Sequence, residues 1–328
     1  MGRFLKLAVV SALALSAVVL LVSPSAMEAS GNGAVAASED FLPVWSPDGR
    51  YIAFMREAGD YSDSVYIVAV KSGQQRRLVA GGHPTWSPDG THIAFDDFGV
   101  FTIKLDRTGR KRVATDGMFP LWSPDGRNIL FERIGPGDTD DSWLYVVPAA
   151  GGKTQRVAKP GSNGDWSPDG TKIAFDTGDL FLGSIPKIRV VGRDGKGLRS
   201  LSPGTGPKWS PKGSEIAFTG GGEDAWTVSV MRSDGSNVRA LRSGEGPVFS
   251  PDGKRIAYYD GDSGSIWVMN RDGSNPRRLT RPAAGFSDFS QVWSPDGRTL
   301  AFVREKGVSG ARIWLVNSDG THARQLTH

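Results

Sequence analysis

A single pentapeptide, Trp-Ser-Pro-Asp-Gly, constrains this chain more than any other feature. It is first met at Trp45 to Gly49, and intact copies begin at Trp86, Trp122, Trp166 and Trp293. Two further copies are altered, to Trp-Ser-Pro-Lys-Gly at Trp209 and Phe-Ser-Pro-Asp-Gly at Phe249. The seven anchors lie 41, 36, 44, 43, 40 and 44 residues apart. A period in this range marks one supersecondary unit per repeat.

Each pentapeptide reads as a tight turn. Serine bonds nearby backbone, proline presets φ, and glycine takes the left-handed conformation that closes a hairpin. A short apolar run follows every turn, as in Tyr51-Ile52-Ala53-Phe54, Ile173-Ala174-Phe175 and Leu300-Ala301-Phe302. Runs this short, bounded by Gly and Pro, are strands buried on both faces. A third strand comes after a variable loop (Val65 to Val70, Ile266 to Asn270). A second Asp-Gly turn then leads to a fourth segment ending Arg277-Arg278-Leu279 or Arg324-Gln325-Leu326. Every repeat is thus a four-stranded antiparallel sheet with two apolar faces. Radial packing against neighbours buries both, so the expected fold is all-β, a seven-bladed β-propeller, with blades starting near residues 42, 83, 119, 163, 206, 246 and 290. A solenoid would need polar caps, which the first and last units lack.

The run Trp-Ser-Pro-Asp-Gly-x-x-Ile-Ala-Phe, a strand such as Ile266 to Asn270, and Asp-Gly-x-x-x-Arg-x-Leu resemble the WD-like propeller repeat (PD40) of the TolB family. The resemblance runs from about Phe41 to the C-terminus. Similar repeats occur in the propellers of prolyl-oligopeptidase-type serine peptidases. TolB-like membership implies a periplasmic protein that binds partners in the cell envelope. That family carries an α/β domain before a six-bladed propeller, whereas here a leader precedes seven repeats. Fold alone does not carry function.

Residues 1–37 read as a signal peptide and flexible leader. Arg3 and Lys6 precede an apolar run from Leu7 to Val22, and Ser23-Pro24-Ser25-Ala26 and Ala34-Val35-Ala36-Ala37 offer cleavage sites. The run is short of the ~20 residues that span a bilayer. The expected location is periplasmic or extracellular. With no cysteine, the chain has no disulfide, no thiol chemistry and no lipidated N-terminal cysteine. The propeller, 38–328, has to hold itself together by its core.

Loss of the leader removes two positive charges and one negative, so the net charge falls from +4 to +3. That is too mild for a nucleic-acid partner. Basic clusters such as Arg76-Arg77, Arg110-Lys111-Arg112 and Arg277-Arg278 fall on outer strands, where they protect sheet edges from pairing. A monomer is expected, with no membrane span after cleavage.

The variable second-to-third loops and the blade connections share one face, and rigid scaffolds usually place binding residues on such loops. Those loops are acidic: Asp60, Asp63, Asp138, Asp140, Asp141, Asp176, Asp179, Glu223, Asp224, Asp260 and Asp262. A carboxylate ring steers basic partners, and Asp138, Asp140, Asp141, Glu223 and Asp224 are the chosen binding candidates. None of these loops has calcium-loop spacing, so no metal or cofactor is expected. At the channel, Asp165 and Lys208 interrupt an apolar position on adjacent blades, either as an inter-blade ion pair or as the polar end of a site with His83, Asn163 and Gln291. The longest connection, Arg281 to Gln291, carries Phe286 and Phe289, either a partner anchor or the seam of the ring.

No catalytic constellation stands out. There are four histidines and no Gly-x-Ser-x-Gly elbow, and the peptidase resemblance is expected to stop at the propeller. The sequence therefore reads as an exported protein-protein interaction or scaffolding module of the cell envelope. The alternative is a metal-dependent lyase or hydrolase acting on an envelope or extracellular polymer through the channel. Each blade is expected to be one continuous segment, closed by packing of blade seven on blade one, with residues 28–40 as leader.

Overall fold

The computed structural model describes residues 38–328, apart from 59–61, 136–141, 179–185, 223–224 and 308. They form seven sheets of four antiparallel strands, each in consecutive order. Blade 1 contains Glu39–Trp45, Tyr51–Glu57, Asp63–Ala69 and Gln75–Ala80. The inner strands of blades 2 to 7 are Gly82–Trp86, Met118–Trp122, Ser162–Trp166, Thr205–Trp209, Glu245–Phe249 and Phe286–Trp293. This is the seven-bladed propeller the repeats demand.

The pentapeptide makes the expected turn. In blade 1, Ser46 N donates to Tyr51 O (2.8 Å) and Gly49 N to Ser46 O (2.9 Å), with Gly49 at a φ of 69°. The Ser46 hydroxyl donates to Asp48 Oδ1 (2.6 Å) and accepts from Tyr51 N (2.9 Å), while Asp48 Oδ1 also accepts Arg50 N (3.0 Å). The aspartate therefore locks the serine. The same serine–aspartate bond joins Ser87 to Asp89, Ser123 to Asp125, Ser167 to Asp169, Ser250 to Asp252 and Ser294 to Asp296. In blade 5 Lys212 stands at the aspartate's place, and Ser210 Oγ keeps the bond from Glu215 N (3.0 Å).

The core lies between blades. Phe54, Phe95, Phe131, Phe175, Phe218, Tyr258 and Phe302 occupy one repeat position and are buried in all seven blades. Burial of such a side chain contributes about 1.5–3 kcal/mol. Ala53, Val65, Ile67 and Leu78 of blade 1 pack on Trp86, Ile93, Phe95 and Ile103 of blade 2, and this pattern recurs around the disc. Anchor indoles extend it: Trp86 Nε1 donates to Val44 O (3.1 Å), Trp166 Nε1 to Leu121 O (3.2 Å) and Trp293 Nε1 to Val248 O (3.2 Å), each in the preceding blade.

The same contacts close the ring. Trp45 Nε1 donates to Val292 O (3.2 Å), and Ile52, Phe54 and Val68 pack on Val303, Ile313, Leu315 and Leu326. A Cβ added to Gly49 would lie 3.7 Å from Pro295 Cδ, just as one on Gly90 would lie 3.6 Å from Pro47 Cδ. Closure thus rests on face packing between continuous blades. The expectation that residues 28–40 form a leader needs correction at its end. Glu39 and Asp40 belong to the first inner strand, and Asp40 is fully buried, paired through Oδ1 with Arg56 Nε (2.5 Å). Glu39 Oε1 accepts Gly310 N (2.7 Å), fastening that strand to blade 7.

Candidate functional site at the channel mouth

Every inner strand breaks its register three residues before its anchor. Leu42, His83, Phe119, Asn163 and Ser290 sit there with φ between 47° and 54°, and Gly206 and Gly246 with φ of 61° and 62°. A one-residue slip against the second strand appears in every blade, for example between Phe41 and Val44, where three steps on the inner strand face two on its partner. A β-bulge re-aims one residue out of the ladder. All seven of these residues line one cavity of about 350 Å³ on the axis of the disc. A non-glycine residue at positive φ is costly, so a ring of five is a structural feature with a role.

The bulge frees an amide, and the neighbouring blade supplies its acceptor. Phe119 N donates to Asp96 Oδ2 (2.8 Å), Asn163 N to Glu132 Oε1 (2.8 Å), Gly206 N to Asp176 Oδ2 (2.8 Å) and Gly246 N to Thr219 Oγ1 (3.0 Å). These acceptors all follow the buried aromatic of their second strand. Met55, Tyr259 and Val303 hold the same position in blades 1, 6 and 7. The channel wall is therefore polar along blades 2 to 5 and less polar along the rest.

Within the polar sector, His83 Nδ1 lies 2.9 Å from Asp96 Oδ2, leaving Nε2 for a ligand, and the imidazole meets the Phe119 ring edge-on at 4.1 Å. Glu132 accepts from the Ser162 hydroxyl (2.8 Å), and Asp176 Oδ2 accepts from Asn163 Nδ2 (3.0 Å) and the Thr205 hydroxyl (2.8 Å). Burial pushes the Glu132 carboxyl up to about 7, against its bonds to Ser162 and Asn163. Asp176 is raised for the same reason. Asn163 is 6% exposed, and its Oδ1 is buried with no hydrogen-bond partner. A buried acceptor left open on a cavity wall is costly unless a donor reaches it.

Asp165 and Lys208 form an inter-blade ion pair, the first of the two alternatives, with Nζ 3.8 Å from Oδ1, and Asp165 Oδ2 also accepts Trp209 N (2.8 Å). Burial raises the Asp165 pKa while Lys208 opposes the rise. Gln291 Nε2 donates to Gly246 O (2.7 Å) across blades 7 and 6. The structure thus brings His83, Asn163, Lys208 and Gln291 to one cavity. Asp176, expected in an acidic loop, is wholly buried behind the cavity's lining and holds Asn163, Thr205 and Gly206 in place. Glu132 and Thr219 were missed, since nothing in their residue types sets them apart. A fixed offset after each Ile-Ala-Phe run identifies them.

For Phe286 and Phe289 the surface connection needs correction, while the alternative of a closing seam fits Phe289. They lie on the inner strand of blade 7 instead of a surface loop, and Phe289 is 5% exposed, packed in the core at the closing seam. The strand reaches this far because Asp288, wholly buried, is gripped through Oδ1 by Arg304 Nε (2.6 Å). Asp138, Asp140, Asp141, Glu223 and Asp224 lie outside the described residues. Among the described residues no group of three or more His, Asp or Glu side chains gathers to hold a metal ion.

Comparison with known proteins adds the family. The profile of the TolB beta propeller domain (PD40) matches residues 31–246 and 187–328. No curated protein matches the sequence. Among solved structures, an oligogalacturonate lyase in complex with manganese is similar at 14% identity, over 85% of this chain and 89% of that one, with a TM-score of 0.70. A putative TolB from Agrobacterium tumefaciens is 21% identical over 77% of this chain and 97% of that one, with a TM-score of 0.52. The β-propeller domain of the Trilobed protease from Pyrococcus furiosus, described as having an open velcro topology, is 14% identical over 90% and 97%, with a TM-score of 0.66. These likenesses are of fold.

Proposed function

We propose that this chain, which belongs to the TolB β-propeller family, is an exported interaction module of the cell envelope that holds a protein partner at its channel mouth. The observation that carries the reading is the ring of seven bulge positions around one cavity, with Asn163 Oδ1 buried there and unpartnered. The cavity suits a protruding segment of a partner. Polar groups on blades 2 to 5 fix its orientation, and Leu42, Phe119, Val248 and Val292 receive apolar surface. Export is supported by the basic residues and apolar run within residues 1–37. Among the described residues no helix is long and apolar enough to cross a membrane.

A second reading, catalysis in the channel, is favoured by one observation. His83 held by Asp96 shares the cavity with Glu132, whose carboxyl titrates near 7, and such a pair is suited to moving protons. The similar lyase was solved with manganese, but the described residues here offer no comparable ligand cluster.

One experiment separates the readings. The mature protein is used to capture partners from envelope extract, beside a variant carrying Phe119→Asn and His83→Asn. Asparagine tolerates the left-handed backbone, so these changes alter the mouth and spare the bulge. A specific protein retained by the parent and reduced at least tenfold by the variant supports the interaction module. Equal retention by both, or no retained protein, contradicts it. Turnover of an envelope polymer by the parent, lost with His83→Asn, establishes the catalytic reading.

A further inference from the structure

The opposite face of the disc, built from pentapeptide turns, holds a second feature. Where each fourth strand pairs with its third, one register position is filled by Arg76, Lys111, Gln155, Arg199, Arg239, Arg277 and Arg324. Five of these reach across to a backbone carbonyl in the next blade's second turn. Arg76 Nη2 donates to Leu105 O (2.6 Å), Lys111 Nζ to Ala150 O, Gln155 Nε2 to Asp194 O (2.5 Å), Arg277 Nη1 to Asp319 O (3.0 Å) and Arg324 Nη2 to Val70 O (2.7 Å). These clasps close the seams on that face.

The seams between blades 4 and 5 and between blades 5 and 6 have no such clasp among the described residues, and the second is rearranged. Arg239 turns back within its own blade, with Nη2 3.5 Å from Glu215 Oε1, and Arg271 Nε of blade 6 approaches Glu215 Oε2 at 2.8 Å. In place of a clasp there is a cleft of about 560 Å³. Its lining includes Lys212, the lysine that replaces the pentapeptide's aspartate in this blade alone, together with Lys254, Arg239 and Arg271. The replacement changes the local charge by two units at the cleft edge. Glu215 is buried and engaged by both arginines. Asp252 and Asp272 also line the cleft, and 2.6 Å bonds from Ser250 and Ser274 help hold their carboxyls below the usual range and so ionised; with Glu215, three carboxylates stand beside the four cations. Both lysines are exposed, and neither ammonium group has a hydrogen-bond or ion-pair partner among the described residues, although Lys254 N donates to Asp252 Oδ1 (3.1 Å).

We infer that the cleft between blades 5 and 6 binds a phosphate-bearing ligand, with Lys212 and Lys254 supplying mobile cations over a floor of Arg239 and Arg271. Two arginines held in place by a shared carboxylate present fixed donors, and lysines close over them as point charges. Against three carboxylates the four cations leave one net positive charge, and the two lysine ammonium groups without an ion-pair partner suit a phosphate, whose oxygens accept charge-assisted bonds. The site lies on the face away from the channel mouth, so it is independent of the partner reading.

The test uses the full mature chain with inorganic phosphate and pyrophosphate as probes, followed by calorimetric titration at fixed ionic strength. Lys212→Asp is the decisive variant, because it restores the turn that folds in the other blades, and Lys254→Gln is the second. Saturable binding of pyrophosphate, weakened at least tenfold by Lys212→Asp and several-fold by Lys254→Gln, supports the site. Arg50→Gln, a cation beside the equivalent turn of blade 1, leaves it unchanged. Absence of saturation overturns the inference. So does equal binding by Lys212→Asp, or displacement by sulfate or chloride at matched ionic strength with no preference for phosphate.

Discussion

At the residue scale, the channel wall makes stability depend on pH. Glu132 titrates at about 7 in the fold, against 4.5 as its ordinary value, because burial disfavours the charge and nearby Asp176 adds repulsion. The folded state therefore keeps a proton that the unfolded chain releases, and stability falls as pH rises from about 4.5 to 7, then levels off. Glu305 is also pushed up to about 7, by burial and then by Glu39, and acts with the same sign. Urea unfolding across this range should show higher stability at pH 5.5 than at pH 8. Glu132→Gln keeps an acceptor for Asn163 N and a polar group for the Ser162 hydroxyl. It should flatten part of the slope and raise stability at pH 8, leaving the Glu305 contribution. An unchanged slope in Glu132→Gln would show that this carboxyl does not carry the effect.

At the element scale, the blade was readable and its joints were not. The Ser-Pro-Asp-Gly turn and the apolar run after it announce themselves through residue types that only a hairpin and a buried strand accommodate. The bulge does not, because Leu42, His83, Phe119, Asn163, Gly206, Gly246 and Ser290 share nothing except their offset of three from the anchor. What selects that position is backbone geometry, which residue type records weakly. The basic residues of the fourth strands were legible as cations at an edge. Their reach into the next blade depends on register, which only the folded sheet defines. A prediction follows for Arg277, which bonds to the Ser318 and Asp319 carbonyls. Arg277→Ala should cost about 1 kcal/mol, whereas Arg199→Ala, at a register position with no such bond, should stay within about 0.5 kcal/mol. Thermal unfolding of the two variants checks this, and equal losses would mean that the clasps contribute nothing.

For the whole molecule, seven continuous blades close by repeating at the 7-to-1 seam the contacts made at the others, so the disc needs no strand shared between its ends. The two faces then differ in build. One carries tight turns, clasps and the basic cleft at blades 5 and 6. The other carries the channel mouth, where the buried open acceptor of Asn163 and the His83–Asp96 pair lie within a mixed polar and apolar wall. The long loops around that mouth were expected to bind through Asp138, Asp140, Asp141, Glu223 and Asp224, and proposing the channel itself moves the expected contact inward to the bulge ring. Site-specific photo-crosslinking in the source cells tests this most directly, with a photoreactive phenylalanine at Phe119 in the mouth and at Leu198, exposed on the turn face. The channel account predicts a discrete crosslinked partner from position 119 and none from position 198. A partner captured from position 198 alone, with position 119 silent, would contradict it.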